Sequence, residues 1–322
     1  MKQSAVIAIT IVTFSAVASQ AQVLTYPTKP IRIVVPSSPG GGLDLVSRAV
    51  GQQLTSTWGQ SVIVDNHAGA GGTIGPDIVA KSAPDGYTLL IASASFAVNY
   101  SVYPNLPYDS IKDFAPVILA TTQPQVLVVH PSLPVRSLRE FVALAKSRPG
   151  RLNYSSPGAG TMSQLTFELF KSAAGVKIEH IPYKGAGLSM VATLSGETQT
   201  STGSTVSVQP HLSSGKLRAL ATTGMRRSPA MPDIPTMAEQ GVPGATVSGW
   251  YAFLAPARTP RPIIDKLNAE IARILQLPET RDQLAREGSE LALGTPEQLG
   301  KHIATEIQRL GRIVRASGAA MH

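Results

Sequence analysis

Two runs of small residues carry the chemistry that can be read in this chain. Ser37-Ser38-Pro39-Gly40 and Ser155-Ser156-Pro157-Gly158 are the same tetrapeptide, each closing an expected strand and each leading through glycine-rich sequence into a helix. The first N–H groups of a helix lack partners within it, and the positive end of the helix dipole lies behind them. A glycine turn at that point lets a ligand approach the backbone because no Cβ intrudes. Together these features make an anion site. In the first loop the backbone groups of Ser38, Pro39, Gly40 and Gly41 are the candidates, while Asp44 is expected to cap its own helix, since a carboxylate facing the ligand would repel an anion. In the second, Ser156, Gly158, Gly160 and Thr161 supply amides and hydroxyls. A third run, Gly69-Ala70-Gly71-Gly72, can be read as a plain turn. Charge-assisted hydrogen bonds contribute roughly 1.5–3 kcal/mol each, so four or five would hold a carboxylate with no arginine. Glycine turns also serve merely to reverse a chain, and spacing alone leaves both readings open.

Other chemistries lack their residues. The 322-residue chain has no cysteine, which excludes disulfides, thiolate metal sites and cysteine nucleophiles. It contains no G-x-x-x-x-G-K-[ST], and neither Gly69 nor Gly158 opens a G-x-G-x-x-G. G-x-S-x-G and H-E-x-x-H are missing too, and the six histidines are dispersed. No cofactor, metal or enzymatic activity is expected, although a triad assembled from distant residues is not a sequence pattern. The net charge of +8 is diffuse, with no cluster of bases beyond Arg226-Arg227. It suits attraction of small anions rather than a nucleic-acid partner.

The elements that must position these loops follow an α/β pattern. Short β-branched runs alternate with segments of helical period. Strands are expected at 31–35, 62–65, 88–92, 117–119, 126–130, 152–155, 178–181, 217–221 and 250–254. Ser137 with Glu140 and Thr161 with Gln164 read as capping boxes. Thr259 with Pro262, and Thr295 with Pro296 and Gln298, open two further helices. Ahead of all this, Lys2, an apolar stretch from Ala5 to Ala18 and the small residues up to Ala21 read as a secretory signal peptide over 1–21, too short to span a bilayer.

Several segments then identify a family. Pro27-Thr28-Lys29-Pro30-Ile31-Arg32-Ile33-Val34-Val35-Pro36, Pro39-Gly40-Gly41-Gly42-Leu43-Asp44, Val64-Asp65-Asn66 with Gly69-Ala70-Gly71-Gly72, Pro84-Asp85-Gly86-Tyr87-Thr88-Leu89, and Leu106-Pro107-Tyr108-Asp109 closely resemble the solute-binding proteins of tripartite tricarboxylate transporters, the Bug family. So do His180-Ile181-Pro182-Tyr183-Lys184-Gly185, Gly215-Lys216-Leu217-Arg218-Ala219-Leu220 and Ala255-Pro256-Ala257-Arg258-Thr259-Pro260. The resemblance implies a type II periplasmic binding protein: two α/β lobes with mainly parallel sheets, joined by crossing strands, and a carboxylate in the cleft between them. Lobe I is expected over 22–123 and 241–322, lobe II over 124–240. It also implies a monomer in the Gram-negative periplasm that serves a membrane transporter of one large and one small integral subunit. The family's first-loop grip, through backbone and ordered water, carries over to Ser38, Pro39, Gly40 and Gly41. Its G-x-G-[ST] loop is matched by Gly158-Ala159-Gly160-Thr161, and Ser93 and Ser95 join the ligand set.

Three departures bear on the ligand. Gln164 and Phe96 stand where the family often has histidine, and Gly203 stands where a strand usually ends in aspartate. The losses point to a roomier pocket for a di- or tricarboxylate, with Phe96 offering a face to an aromatic one such as a phthalate isomer. A ligand-sensing module for a signalling system, or a secreted serine hydrolase using Ser156, are the alternative functions.

Overall fold

The computed structural model describes residues 26–317 except 104, 159, 160, 184, 185 and 287, with side chains to 312. The expected signal peptide and Gly160 lie outside the described residues.

Among the described residues eight strands form one hydrogen-bonded path, β2-β1-β3-β9-β4-β7-β5-β6, and β8 and β10 pair with β4 off that path. Parallel β1 (Ile31–Val35), β2 (Val62–Asn66) and β3 (Thr88–Ser93) open the chain. The two strands expected at 117–119 and 126–130 are one, β4 (Phe114–Val129). Its first half pairs with β9 (Ser248–Pro256), and its second half with β7 (Thr200–Ser204) and β8 (Arg218–Thr222). β5 (Asn153–Ser156) and β6 (Glu179–Pro182) run parallel beyond β7, and β10 (Glu290–Leu291) is a short addition. β4 is therefore the strand that runs through both lobes, its first half in the sheet of lobe I beside β9 and its second half in the sheet of lobe II beside β7 and β8. Register shifts between Pro116/Ile118 and Leu119/Thr121 bend this ribbon.

Among the described residues ten α-helices cover the sheet: α1 (Gly42–Trp58), α2 (Ile74–Ala80), α3 (Ala94–Val102), α4 (Leu138–Ser147), α5 (Met162–Ala174), α6 (Ala186–Leu194), α7 (Thr205–Ser213), α8 (Arg261–Leu275), α9 (Pro278–Arg286) and α10 (Pro296–Ser317). Alternation along β9 assigns its two faces. Phe253 and Ala255 join the core under α1 and α8, whereas Trp250, Ala252 and Leu254 join the one under α3 and α10. A further core around Phe141, Tyr154, Phe167 and Phe170 fills lobe II. Leu165, Leu169 and Met162 of α5 fall in the same apolar cluster as Trp250 of β9 and Leu299 and Ile303 of α10, and α5 contacts α10, so lobe II packs on lobe I there.

Local signals set most helix starts. Ser137 accepts from the Glu140 N–H at 3.2 Å, and Thr161 from that of Gln164 at 3.4 Å. Thr295 and Gln298 bond reciprocally. Thr259 is different: its hydroxyl donates to Pro256 O at 2.7 Å, and Pro260 takes the N-cap position of α8 without a side-chain bond. β7 is absent from the expected strands because its residues are Thr, Ser and Gly. It is nevertheless buried at Thr200, Ser201 and Thr202, and two of its hydroxyls bond inward, Thr200 to Val128 O at 2.7 Å and Thr202 to the Ser163 hydroxyl at 2.7 Å, while that of Ser201 has no partner among the described residues. Such pairing offsets the cost of burying polar groups.

Candidate functional site

The cleft is built from the C-terminal ends of parallel strands. After β1 the chain turns through Pro36 to Gly41 into α1, whose N-cap, Gly41, makes no side-chain cap. Gly41 has φ −81° and ψ 167°, so the chain enters the helix extended, and the amides of Gly41, Gly42 and Leu43 point out of the first turn without an intrahelical acceptor. The loop is anchored from behind, where Asn66 donates to Ser37 O at 3.1 Å and Arg48 reaches Asn66. Gly40 itself, at φ +85°, gives its N–H to Asp44 at 2.9 Å. That amide is committed, which corrects the expectation that Gly40 greets the ligand. Asp44 is buried and also bonds Arg48 at 2.9 Å. Burial alone would raise its carboxyl, but Arg48, the Gly40 amide and Asn66 override it and hold the group below the ordinary range. Asp44 thus has a structural role, though not the expected one of capping α1: it holds the turn before the helix.

The third glycine run joins the site. Gly69, Gly71 and Gly72 all have positive φ, and a Cβ on Gly72 would lie 3.6 Å from Pro36 O and 3.9 Å from the Ser95 hydroxyl. Those are ordinary contacts, so the turn lies against both the first loop and α3, and it is the left-handed φ of +84° that calls for glycine there. Asn99, buried on α3, fixes it by donating to Gly71 O at 2.9 Å. Ser93 is the N-cap of α3 but makes no cap bond; its hydroxyl pairs instead with that of Ser95 at 2.7 Å. The first amides of α3 are therefore a second uncapped helix start in lobe I.

Lobe II presents capped starts. Thr161 caps α5 and donates to Gly158 O at 2.8 Å, while Ser204 caps α7 by accepting from Ser207 N–H. The Gly158 N–H donates to the Ser156 hydroxyl at 3.2 Å, and that hydroxyl lies 2.7 Å from His180 Nε2. Ser156 is fully buried, so it braces the loop rather than meeting a ligand. His180 stacks on Tyr154, whose hydroxyl donates to Glu168 at 2.7 Å, and Gln164 Nε2 lies 3.4 Å from His180 Nδ1. Burial depresses the His180 pKa. The amides of Met162 and Ser163 remain as the outward donors of α5.

Two expectations about pocket shape do not survive. Phe96 is buried and packs in an aromatic cluster, parallel to Tyr108 at 5.9 Å and edge-on to Phe114 at 5.1 Å, so its ring belongs to the core. Gly203 leaves no room: a Cβ there would lie 2.8 Å from both Ser207 Oγ and Val208 Cγ1 and 3.2 Å from Met190. Sequence reasoning missed Ser37, whose buried hydroxyl has no partner among the described residues, and His180, which a long-range contact brings to the second loop. Ser37 was visible in the repeated tetrapeptide. No cluster of metal-ligating side chains occurs among the described residues.

A curled α/β sheet shared by two lobes, with helix starts gathered at the cleft, defines the fold of a periplasmic binding protein. The model of the tripartite tricarboxylate transporter family receptor matches residues 46–319, and the chain belongs to that family, in its Bug branch. BugT of Bordetella pertussis is 41% identical over 319 residues, 98% of each chain. A Rhodopseudomonas palustris protein solved with adipate is 34% identical with a TM-score of 0.70, covering 91% of this chain and 98% of that one. MatC from Rhodopseudomonas palustris, solved with bound malate, is 32% identical with a TM-score of 0.67, covering 90% of this chain and 100% of its own. The chain is accordingly a solute-binding protein of the periplasm.

Proposed function

We propose that the protein captures an aliphatic dicarboxylate between its lobes and hands it to a membrane transporter of one large and one small integral subunit, acting as a monomer. The observation that carries this reading is the asymmetry of the helix starts. α1 and α3 in lobe I have N-caps without side-chain bonds, whereas α5 and α7 in lobe II are capped by Thr161 and Ser204. Lobe I offers the larger number of unmet donors and would take the first carboxylate in the open state. The second carboxylate would then draw the α5 start across, and the ligand shifts the population toward closure only through that extra contact. The moving units would be 22–123 with 241–322, and 124–240, turning about β4 and β9.

Adipate and malate in relatives of 34% and 32% identity support a dicarboxylate. Phe96, in the core, offers no face to an aromatic guest. Ser156, buried beneath its own loop, is closed to the carbonyl that a hydrolase would attack, whatever its contact with His180. Titration calorimetry with malate, adipate and matched monocarboxylates tests the proposal. Binding of one dicarboxylate at 1:1, at least tenfold tighter than its monocarboxylate, is the expected result. Equal affinity for mono- and dicarboxylates would contradict the two-lobe grip.

A further inference from the structure

Tyr251 stands between the two uncapped helix starts of lobe I. On β9 it is the register partner of Ser93, the N-cap of α3. Alternation along β9 turns its side chain to the same face as Phe253 and Ala255, and the half-buried ring packs on the core under α1 and α8. The far end of the ring reaches the first turn of α1. A Cβ built on Gly42 would run into the Tyr251 hydroxyl oxygen and lie 3.1 Å from ring carbons Cε2 and Cζ. With one carbon–carbon bond allowed for, the hydroxyl oxygen is no more than about 4 Å from the Gly42 α-carbon. The amide of that same residue has no intrahelical acceptor. Gly42 is helical, so what glycine supplies here is room for the phenol and not a special φ.

We propose that Tyr251 is a ligand-contacting residue and the side-chain part of the first-loop grip, its hydroxyl donating to the carboxylate that the α1 amides hold. The assignment rests on the dicarboxylate reading above and adds to it a specificity-determining group outside the glycine loops. A carboxylate has two oxygens, so it can accept from the backbone with one and from the phenol with the other. Gly42 then has a second task beyond its own N–H, which is to keep the place of the hydroxyl open.

Titration calorimetry with adipate and with malate on the parent, Tyr251→Phe, Gly42→Ala and the double variant tests this, with thermal melts alongside. Tyr251→Phe keeps the ring and its packing, so its melt should match the parent while the dicarboxylate that the parent binds is held roughly tenfold more weakly, as for loss of a hydrogen bond to a charged group. Gly42→Ala keeps the N–H but pushes the hydroxyl aside, and a recess of about 120 Å³ between Gly42, Tyr251, Gln283 and Ser289 gives the phenol room to shift. Its loss should be of similar size. The double variant should bind within about twofold of Tyr251→Phe, because the group that Gly42→Ala displaces is already gone. Unchanged affinity in Tyr251→Phe, or single losses that multiply in the double variant, would overturn the role of Tyr251 and leave the dicarboxylate reading standing. A parent that binds neither acid would overturn both.

Discussion

Replacing Gly41 by proline separates the anion role of the first loop from its structural role. Gly41 sits at φ −81°, within reach of the fixed proline φ of about −65°. A Cβ there would meet Ser38 O at 3.7 Å and the Ser37 hydroxyl at 4.0 Å, ordinary contacts. The preceding residue, Gly40, has no Cβ to collide with the proline ring. Proline at a compatible position stabilises by about 0.4–1 kcal/mol through the unfolded chain, so Gly41→Pro should melt no lower than the parent. It does, however, delete one N–H. If that N–H donates to a carboxylate, binding loses about 1.5–3 kcal/mol, a roughly 10- to 150-fold weaker Kd at about 1.4 kcal/mol per decade. Gly41→Ala, which keeps the N–H, is the control and should bind within about threefold of the parent by the same scale. Titration calorimetry with the preferred dicarboxylate, beside thermal melts, reads both quantities. A well-folded Gly41→Pro protein that binds as tightly as Gly41→Ala would refute the backbone grip.

Other expectations test the corrections that the structure makes. Gly203→Asp would force a side chain onto Ser207 and Val208 and bury a charge; overpacking alone costs about 1–3 kcal/mol, and at roughly 1.5–2 °C per kcal/mol for this length the melt should fall by several degrees. A melt unchanged within a degree would show that the space is open after all. Phe96→Ala should lose about 3–5 kcal/mol of stability, while Phe96→Leu, a milder change, should leave dicarboxylate affinity unaltered by calorimetry; a large loss of affinity in the leucine variant would return Phe96 to the ligand set. His302 is held at about 4 by burial first and Arg309 second. Its unfolded value is higher, near 6.5, so the unfolded chain binds the extra proton and stability falls as pH drops from about 6.5 to 4. Relative to His302→Gln, denaturant titrations should show the parent losing about 2–3 kcal/mol more across that window; parallel pH profiles would contradict it.

What could be read from sequence was what local chemistry decides. The capping boxes at Ser137, Thr161 and Thr295, the β-branched strands and the repeated tetrapeptide all act within a few residues, and each sits where its own pattern places it. Thr259 failed because Pro260 took the cap position and left the hydroxyl to a carbonyl behind it. β7 failed because the strand signal is apolar, and this strand buries the hydroxyls of Thr200 and Thr202, which find their partners on β4 and α5. At the site, the loops were legible and their inner wiring was not. That His180 holds Ser156, and that Gly72 lies beside Pro36 and Ser95, depend on which segments the fold brings together.

The most direct test is a crystal structure of the protein with adipate, read at the two helix starts. One carboxylate should lie about 2.7–2.9 Å from the backbone nitrogens of the α1 start at Gly41 and Gly42, with the other facing the Met162 and Ser163 amides of α5. A carboxylate seated away from both starts, or α1 amides bonded to the protein's own carbonyls with adipate present, would contradict the account.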